Sequence, residues 1–241
     1  MAGVLGLALA DCATPGPLHL YSLPTASANA IADTGADHTA DTPSFLAPGE
    51  VIIGFAYDLF TDHFFLRLAP GDRIRVVDRP ARAVKREFVV AELQTTDAAG
   101  DLAVRPRDGH LFALHPTASA LIELTRFGNI VRTIPLAGFG APPLAIAYDP
   151  QGNRLFILRI KQHAAWLSTH EIDGRLIREV ALSEPASPRS LGFDSATREL
   201  YVPLATGQAV GVFDENGQLL RTLARPARFV DVGPRSFLRL F

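Results

Sequence analysis

The sequence predicts an all-β chain folded as a five-bladed β-propeller, and three features lead there. The first is a segment that recurs four times. It reads Gly54-Phe55-Ala56-Tyr57-Asp58 running on to Phe64-Phe65-Leu66, and Asp101-Leu102-Ala103-Val104-Arg105 running on to Leu111-Phe112-Ala113-Leu114. It returns as Ala145-Ile146-Ala147-Tyr148-Asp149 with Leu155-Phe156-Ile157-Leu158, and as Ser190-Leu191-Gly192-Phe193-Asp194 with Leu200-Tyr201-Val202. The small central residue falls at 56, 103, 147 and 192, spacings of 47, 44 and 45 residues. A period of roughly 40–50 residues with several short strands per unit is how propellers repeat. The second feature is turn chemistry: Gly128-Asn129, Asp173-Gly174 and Asn216-Gly217 each separate two apolar runs late in their unit. Such pairs supply the positive φ that tight hairpin turns require. The third is a half unit at each end of the chain.

Taken in order, 18–23 and 43–46 read as third and fourth strands lacking a first and second. The first complete unit places strands at 74–78 and 84–90 across Arg79-Pro80, which needs a wider turn. The second places 121–127 and 130–136 about Gly128-Asn129. The third is the most regular, with strands at 145–148, 154–160, 166–172 and 176–182. The fourth adds 210–213 and 219–223. Residues 229–232 and 237–241 then read as first and second strands without a third and fourth. Two strands from each end complete one blade, giving five, and closure removes the unpaired edges of an open sheet. A sixth blade is the alternative count.

Within the units, Asp58, Asp149 and Asp194 end the first strand and are read as caps of the following turn, since Asp side chains accept backbone N–H groups two residues on. The second unit has Arg105 there. Trp166, Tyr148, Tyr201, Phe112 and Phe156 fall on strand positions and are read as packing between blades. Residues 25–41 do not fit the repeat. They are rich in Ala, Thr, Asp and Ser, with Ile31 as their one large apolar residue, and are read as a disordered loop insertion.

The chain has 241 residues, 48% of them hydrophobic, enough for a continuous core, and its apolar residues come in short runs rather than helical stripes. The repeats continue without a compositional break, which assigns 18–241 to one propeller domain behind a segment 1–17. A net charge of −2 gives no general attraction to nucleic acid or anionic lipid, so no nucleic-acid partner is expected. No run reaches the roughly 18 apolar residues a membrane span needs. Cys12 is the only cysteine, so an intrachain disulfide is excluded. The apolar run 4–10 ends in Leu9-Ala10-Asp11-Cys12 and resembles the end of a bacterial lipoprotein signal. That resemblance implies a periplasmic or cell-surface protein lipidated on Cys12. Asp11 departs from the small residue normally preceding such a cysteine, and no basic residue precedes the run; an inert cytoplasmic terminus is the alternative.

Leu200-Tyr201-Val202-Pro203-Leu204-Ala205-Thr206-Gly207-Gln208-Ala209-Val210-Gly211-Val212-Phe213-Asp214 resembles the YVTN-type propeller repeat. Its continuation to Asn216-Gly217-Gln218-Leu219-Leu220-Arg221-Thr222-Leu223 is similar to the end of an NHL repeat, and Arg175-Leu176-Ile177-Arg178-Glu179-Val180 echoes it. The resemblance runs over 18–241 and implies architecture only. Proteins with these repeats include extracytoplasmic binding and sensor domains, RNA-binding modules, lyases and metal-dependent lactonases, and the fold does not choose among them.

Propellers usually bind on the face formed by the loops from second to third strand and from fourth strand to the next blade. The expected ligand- or partner-binding set on that face is Glu50, Asp72, Arg73, His115, Lys161, His163, Glu184, Arg189 and Arg228, with Glu92, Asp97, Gln162, Gln208 and Arg225 beside them. The leading expectation is a non-enzymatic binding or assembly propeller docking on a protein partner or membrane complex. One alternative is a lactonase-like, metal-dependent hydrolase or lyase using Glu50, Asp97 or Glu184 with His115 or His163. Another is a small-anion sensor gripping its ligand with Arg73, Arg189 and Arg228 through bidentate hydrogen bonds. There is no Gly-x-Ser-x-Gly nucleophile elbow, and no Asn joins the acids in a calcium-type oxygen set. No catalytic residue, metal or cofactor is therefore expected. His63 and His110 are read as exposed turn residues on the opposite face.

Overall fold

The computed structural model describes residues 18–33, 45–71, 73–93, 100–138 and 142–233. Among them the backbone forms strands throughout, with one 3-10 turn at Ala91–Leu93 and no α-helix. The chain enters through β1 (Leu20–Leu23) and β2 (Ala32–Asp33). Blade one then comprises β3 (Val51–Asp58), β4 (His63–Ala69), β5 (Arg73–Asp78) and β6 (Ala83–Val89). Blade two comprises β7 (Leu102–Arg105), β8 (His110–Leu114), β9 (Ala120–Leu124) and β10 (Ile130–Pro135). Blade three has β11 (Ala145–Asp149), β12 (Arg154–Lys161), β13 (Ala164–Glu171) and β14 (Leu176–Ala181). Blade four has β15 (Gly192–Asp194), β16 (Glu199–Pro203), β17 (Val210–Phe213) and β18 (Leu219–Leu223). The last strand, β19 (Phe229–Val232), lies beside β1, which lies beside β2. The first strands β3, β7, β11, β15 and β19 contact one another in a closed ring, making a five-bladed propeller.

The apolar runs follow from this geometry. Each blade is covered on both faces by its neighbours, so successive residues of an inner strand are buried in opposite directions. In β3, Ala56 packs toward blade two with Phe65, Leu102 and Val104, whereas Phe55 and Tyr57 pack toward blade five with Phe64, Tyr21 and Phe229. The remaining core clusters fill the other three interfaces in the same way. The outermost strands β6 and β10 have one blade surface fewer to cover and are mostly exposed.

The first turn of every complete blade is one device. Asp62, Gly109, Asn153 and Arg198 occupy the same position with φ of 58°, 69°, 50° and 60°. In three of these turns the N–H bonds to the carbonyl four residues back at 2.8 Å, from Asp62 to Asp58, Gly109 to Arg105 and Arg198 to Asp194. The strand-end aspartates cap them: Asp58 accepts from Phe60 N, Asp149 from Gln151 N and Gly152 N, and Asp194 from Ala196 N, all at 3.0 Å. In blade two, Asp108 takes over. It accepts from His110 N and from Arg105 Nε, while Arg105 Nη2 reaches buried Glu123 at 2.6 Å.

Closure differs in detail from the sequence expectation. The C-terminal end supplies one described strand to blade five and the N-terminal end two. Leu20–Leu23 pairs directly with Phe229–Val232, in the second-strand place expected for 237–241, which lie outside the described residues. Part of the expected disordered loop is ordered. Ala32–Asp33 pairs with β1, Ile31 is fully buried, and Asn29 Oδ1 accepts from Phe45 N and Leu46 N. Those two residues are therefore held by a side chain rather than by a fourth strand. Residues 34–44 lie outside the description. His63, expected to be exposed, is buried beside Asp78 and Lys85. Trp166 is half-buried, with Lys161 Nζ 4.7 Å from its ring centroid.

Candidate functional site

Five strands converging on one axis leave little room for side chains. Ala56, Ala103, Ala147 and Gly192 face Phe65, Phe112, Phe156 and Tyr201 across their first strand pair. A β-carbon on Gly192 would lie 2.9 Å from Val232 Cγ2. In blade five the equivalent place, opposite Tyr21, is held by Asp231. Four small residues and one aspartate thus form this level of the ring.

Inner strands also carry edge N–H groups with no sheet partner, and buried donors must be satisfied. Side chains of neighbouring first strands satisfy several of them. Asp231 Oδ2 accepts from Tyr57 N at 2.6 Å and Oδ1 from Val232 N at 2.7 Å. Asp101 Oδ2 accepts from Ile146 N at 3.0 Å, and Ser190 Oγ both accepts from Val230 N and donates to Val230 O. The backbone N–H groups of Leu102 and Phe55 also act on the buried Asp101 carboxyl. Burial holds the Asp101 carboxyl well above the usual carboxylate range, and the nearby Asp231 adds to the rise. Burial likewise raises Asp231 to about 7, against the two N–H groups that lower it.

The axis encloses a cavity of about 340 Å³ lined by Asp231, by Leu102, Ala103, Ile146 and Ala147, and by Tyr57, Tyr148 and Phe193. Leu59, Pro106, Pro150 and Ser195 surround its mouth. These belong to first-to-second strand turns, so the cavity opens on the face opposite the one expected to bind.

That turn face also carries an aromatic patch across blades one and two. Phe60 is 67% exposed and Phe127 63%. The Arg126 guanidinium lies 5.5 Å from the Phe60 centroid, and that of Arg86 lies 4.8 Å from Phe127. Arg86 Nη2 donates to Arg126 O at 2.8 Å and Arg126 Nη2 to Asp108 O at 3.0 Å. Arg126 rests against Gly109, where a β-carbon would lie 2.1 Å from Nη2. Neither arginine forms an ion pair among the described residues. Burial and the Arg126 charge hold the Arg86 guanidinium below its usual range.

The sequence-selected residues are dispersed. Glu50 is buried in a cluster with Arg73, Arg75 and Glu87, and its carboxyl is held down to about 2, chiefly by Arg75, with Nη1 to Oε2 at 2.6 Å. Arg73 is thus ion-paired twice. His115 Nδ1 accepts from Thr117 N and Ala118 N, an ordinary turn contact. Lys161 pairs with Glu179 at 3.4 Å, and His163 is the exposed second residue of a two-residue turn with φ 65°. Glu184 is exposed. Arg189 and Arg228 are brought together: both stand three residues before the ring position of adjacent blades, and the Arg189 charge lowers Arg228 after burial does. Asp72, Asp97 and Cys12 lie outside the described residues. No cluster of three potential metal ligands occurs among the described residues, and no helix there is long and apolar enough to cross a membrane.

Sequence reasoning passed over Asp231, Phe60 and Phe127. The first was detectable as the one charged residue at the small position of the repeat. Phe60 was detectable as a bulky aromatic in a turn, standing where other units have Arg107, Gln151 and Ala196, whereas Phe127 falls at the end of the strand read at 121–127 and gives no such signal.

No family model and no curated protein matches this chain. Solved structures do. One from a nidogen/laminin complex is similar over 89% of this chain and 98% of its own, with a TM-score of 0.61 at 15% identity. A protein of unknown function from Bacteroides caccae covers 90% of this chain and 99% of its own, with a TM-score of 0.53 at 13% identity. Glutaminyl cyclase from Myxococcus xanthus covers 72% and 70%, with a TM-score of 0.52 at 17% identity. At these identities the likeness is one of fold, that of the β-propellers.

Proposed function

We propose that this chain is a non-enzymatic docking propeller that holds a protein partner against its turn face, beside the cavity mouth. The observation that carries this reading is the interleaved stack of Phe60, Arg126, Phe127 and Arg86. Aromatic residues and arginine are the types enriched where binding energy concentrates. Here the arginines are fixed by backbone carbonyls, so little side-chain freedom remains to be lost on docking. Two like charges without ion pairs favour a partner segment that offers carboxylates around an apolar anchor. A propeller of similar fold in a nidogen/laminin complex supports protein docking as a use of this architecture.

The test is the native size of the endogenous assembly. Replacing both rings, as Phe60→Ser with Phe127→Ser, is expected to release the chain to monomer size while leaving its melting temperature unchanged, because both rings are exposed. An assembly of unchanged size contradicts the reading. Export with lipid on Cys12 belongs to the same proposal, and the intact mass of chain taken from its native membrane tests it; an unmodified Cys12 ends that part. A second reading, a small anion held on the other face, is favoured by the Arg189–Arg228 pair. It predicts phosphate or carboxylate binding that disappears in Arg228→Gln.

A further inference from the structure

We propose that the axial cavity is a binding site for a small organic cation, a primary ammonium compound, with Asp231 as its counter-ion. This site is separate from the docking surface. Four of the five register positions around the axis are alanine or glycine, and Asp231 alone places a carboxylate there; the other acid lining the cavity, Asp194, accepts from Ala196 N and Thr197 Oγ1 within its own turn. Each Asp231 oxygen accepts one backbone N–H, at 2.6 and 2.7 Å. A carboxylate has about four acceptor sites, so each oxygen keeps one for a further donor. The backbone contacts also fix the group in place.

The walls point to the same chemistry. Tyr57, Tyr148 and Phe193 are the aromatic lining, and no Lys, Arg or His lines the cavity among the described residues. Aromatic faces attract cations most where water is scarce. Asp101 sits behind this wall, with Oδ2 on the N–H of cavity-lining Ile146, and its carboxyl is sensitive to that of Asp231. The arginines near the mouth are already paired, Arg105 with Asp108 and Glu123, Arg198 with Asp149 and Glu215, and the exposed Arg107 with Asp108 at 3.7 Å. A metal ion suits the cavity less well. Calcium takes about six to eight oxygen ligands, and no group of three candidate metal ligands exists among the described residues. At about 340 Å³ the cavity lies at the small end of the roughly 300–1,000 Å³ typical of ligand pockets, which fits a compact amine.

Calorimetry of the full chain at about pH 8.5, above the value of about 7 to which burial raises Asp231, with n-butylammonium against n-butanol as its neutral counterpart, tests the assignment. Butylammonium is expected to bind, butanol to bind roughly tenfold more weakly or worse, and Asp231→Asn to reduce the ammonium to the level of the alcohol. Ala103→Val, which narrows the cavity without touching the carboxylate, is expected to weaken both probes. If Asp231→Asn does not fold, Ala103→Val places the probes in the cavity, and the butylammonium-to-butanol ratio of the wild-type chain decides the charge. Equal affinity for the two probes, equal ammonium binding by wild type and Asp231→Asn, unchanged binding in Ala103→Val, or no binding up to about 10 mM would each overturn the proposal.

Discussion

Closure of the ring can be tested through Tyr21. Its side chain is fully buried, with its ring centroid 4.7 Å from that of Tyr57 and 4.9 Å from that of Phe64, and it faces Asp231 across the strand pair that, among the described residues, joins the N-terminal and C-terminal segments. Tyr21→Ala removes the aromatic centre of the blade five–blade one interface, and truncating a buried aromatic costs about 3–5 kcal/mol. In a chain of this size each kcal/mol lowers the melting temperature by roughly 2–4 °C, so a fall of roughly 6–20 °C is expected. Phe156→Ala supplies the internal standard. Phe156 occupies the same register position in blade three and is equally buried, but its blade is built from one continuous segment. Tyr21→Phe keeps the ring and is expected to change stability by less than about 1 kcal/mol. Calorimetric scans of the three variants are the assay. If the terminal blade closes as tightly as the others, Tyr21→Ala and Phe156→Ala fall together. A Tyr21→Ala protein that melts like wild type, beside a strongly destabilised Phe156→Ala, would refute closure through β1 and β19.

Other outcomes follow from the charged groups and the turns. Asp231 is raised from 3.8 to about 7, so between those values the native state holds a proton the unfolded chain has released. Stability from this group therefore falls as pH rises through that window, and Asp231→Asn should gain on wild type between about pH 5 and pH 8 in urea midpoints. Glu50 is lowered from 4.5 to about 2, chiefly by its hydrogen bond to Arg75. Its contribution is present above 4.5 and lost as pH falls toward 2; Glu50→Gln should cost about 2–3 kcal/mol at neutral pH and flatten the acid limb of the stability profile. Gly109→Ala places a β-carbon against Arg126 at φ 69°. It should cost about 1 kcal/mol or more and weaken partner retention in the native-size assay, whereas Gly207→Ala, at φ 68° but in open space, should cost stability alone.

The fold was largely legible because its physics is local and repeated. Strands buried on both faces must read as unbroken apolar runs, and the run 154–160 is found as Arg154–Lys161, with Leu176–Ala181 following Asp173-Gly174 as read. The Asp caps were legible for the same reason, being contacts within two or three residues. The partition of blade five was not. Whether β19 pairs with 237–241 or with Leu20–Leu23 is a contact some two hundred residues apart in sequence, and Ala32–Asp33 is too short to show any alternation. The site was read least well. Loop charges such as Glu50 and Arg73 look free in a sequence and are consumed by one another in space. Phe127 looks like the apolar end of a strand and stands in solvent, because a turn residue's environment is set by the neighbouring blade.

The central claim, that a protein partner docks on the turn face, is tested most directly by placing a photo-crosslinking amino acid at position 60, in the turn after β3. A matched chain carries it at position 184 on the opposite face, and both are expressed in the native host. The account predicts a single higher-mass adduct from position 60 that disappears when Arg86→Ala and Arg126→Ala are added, and none from position 184. An adduct from position 184 with none from position 60, or one at 60 indifferent to both arginines, would contradict it.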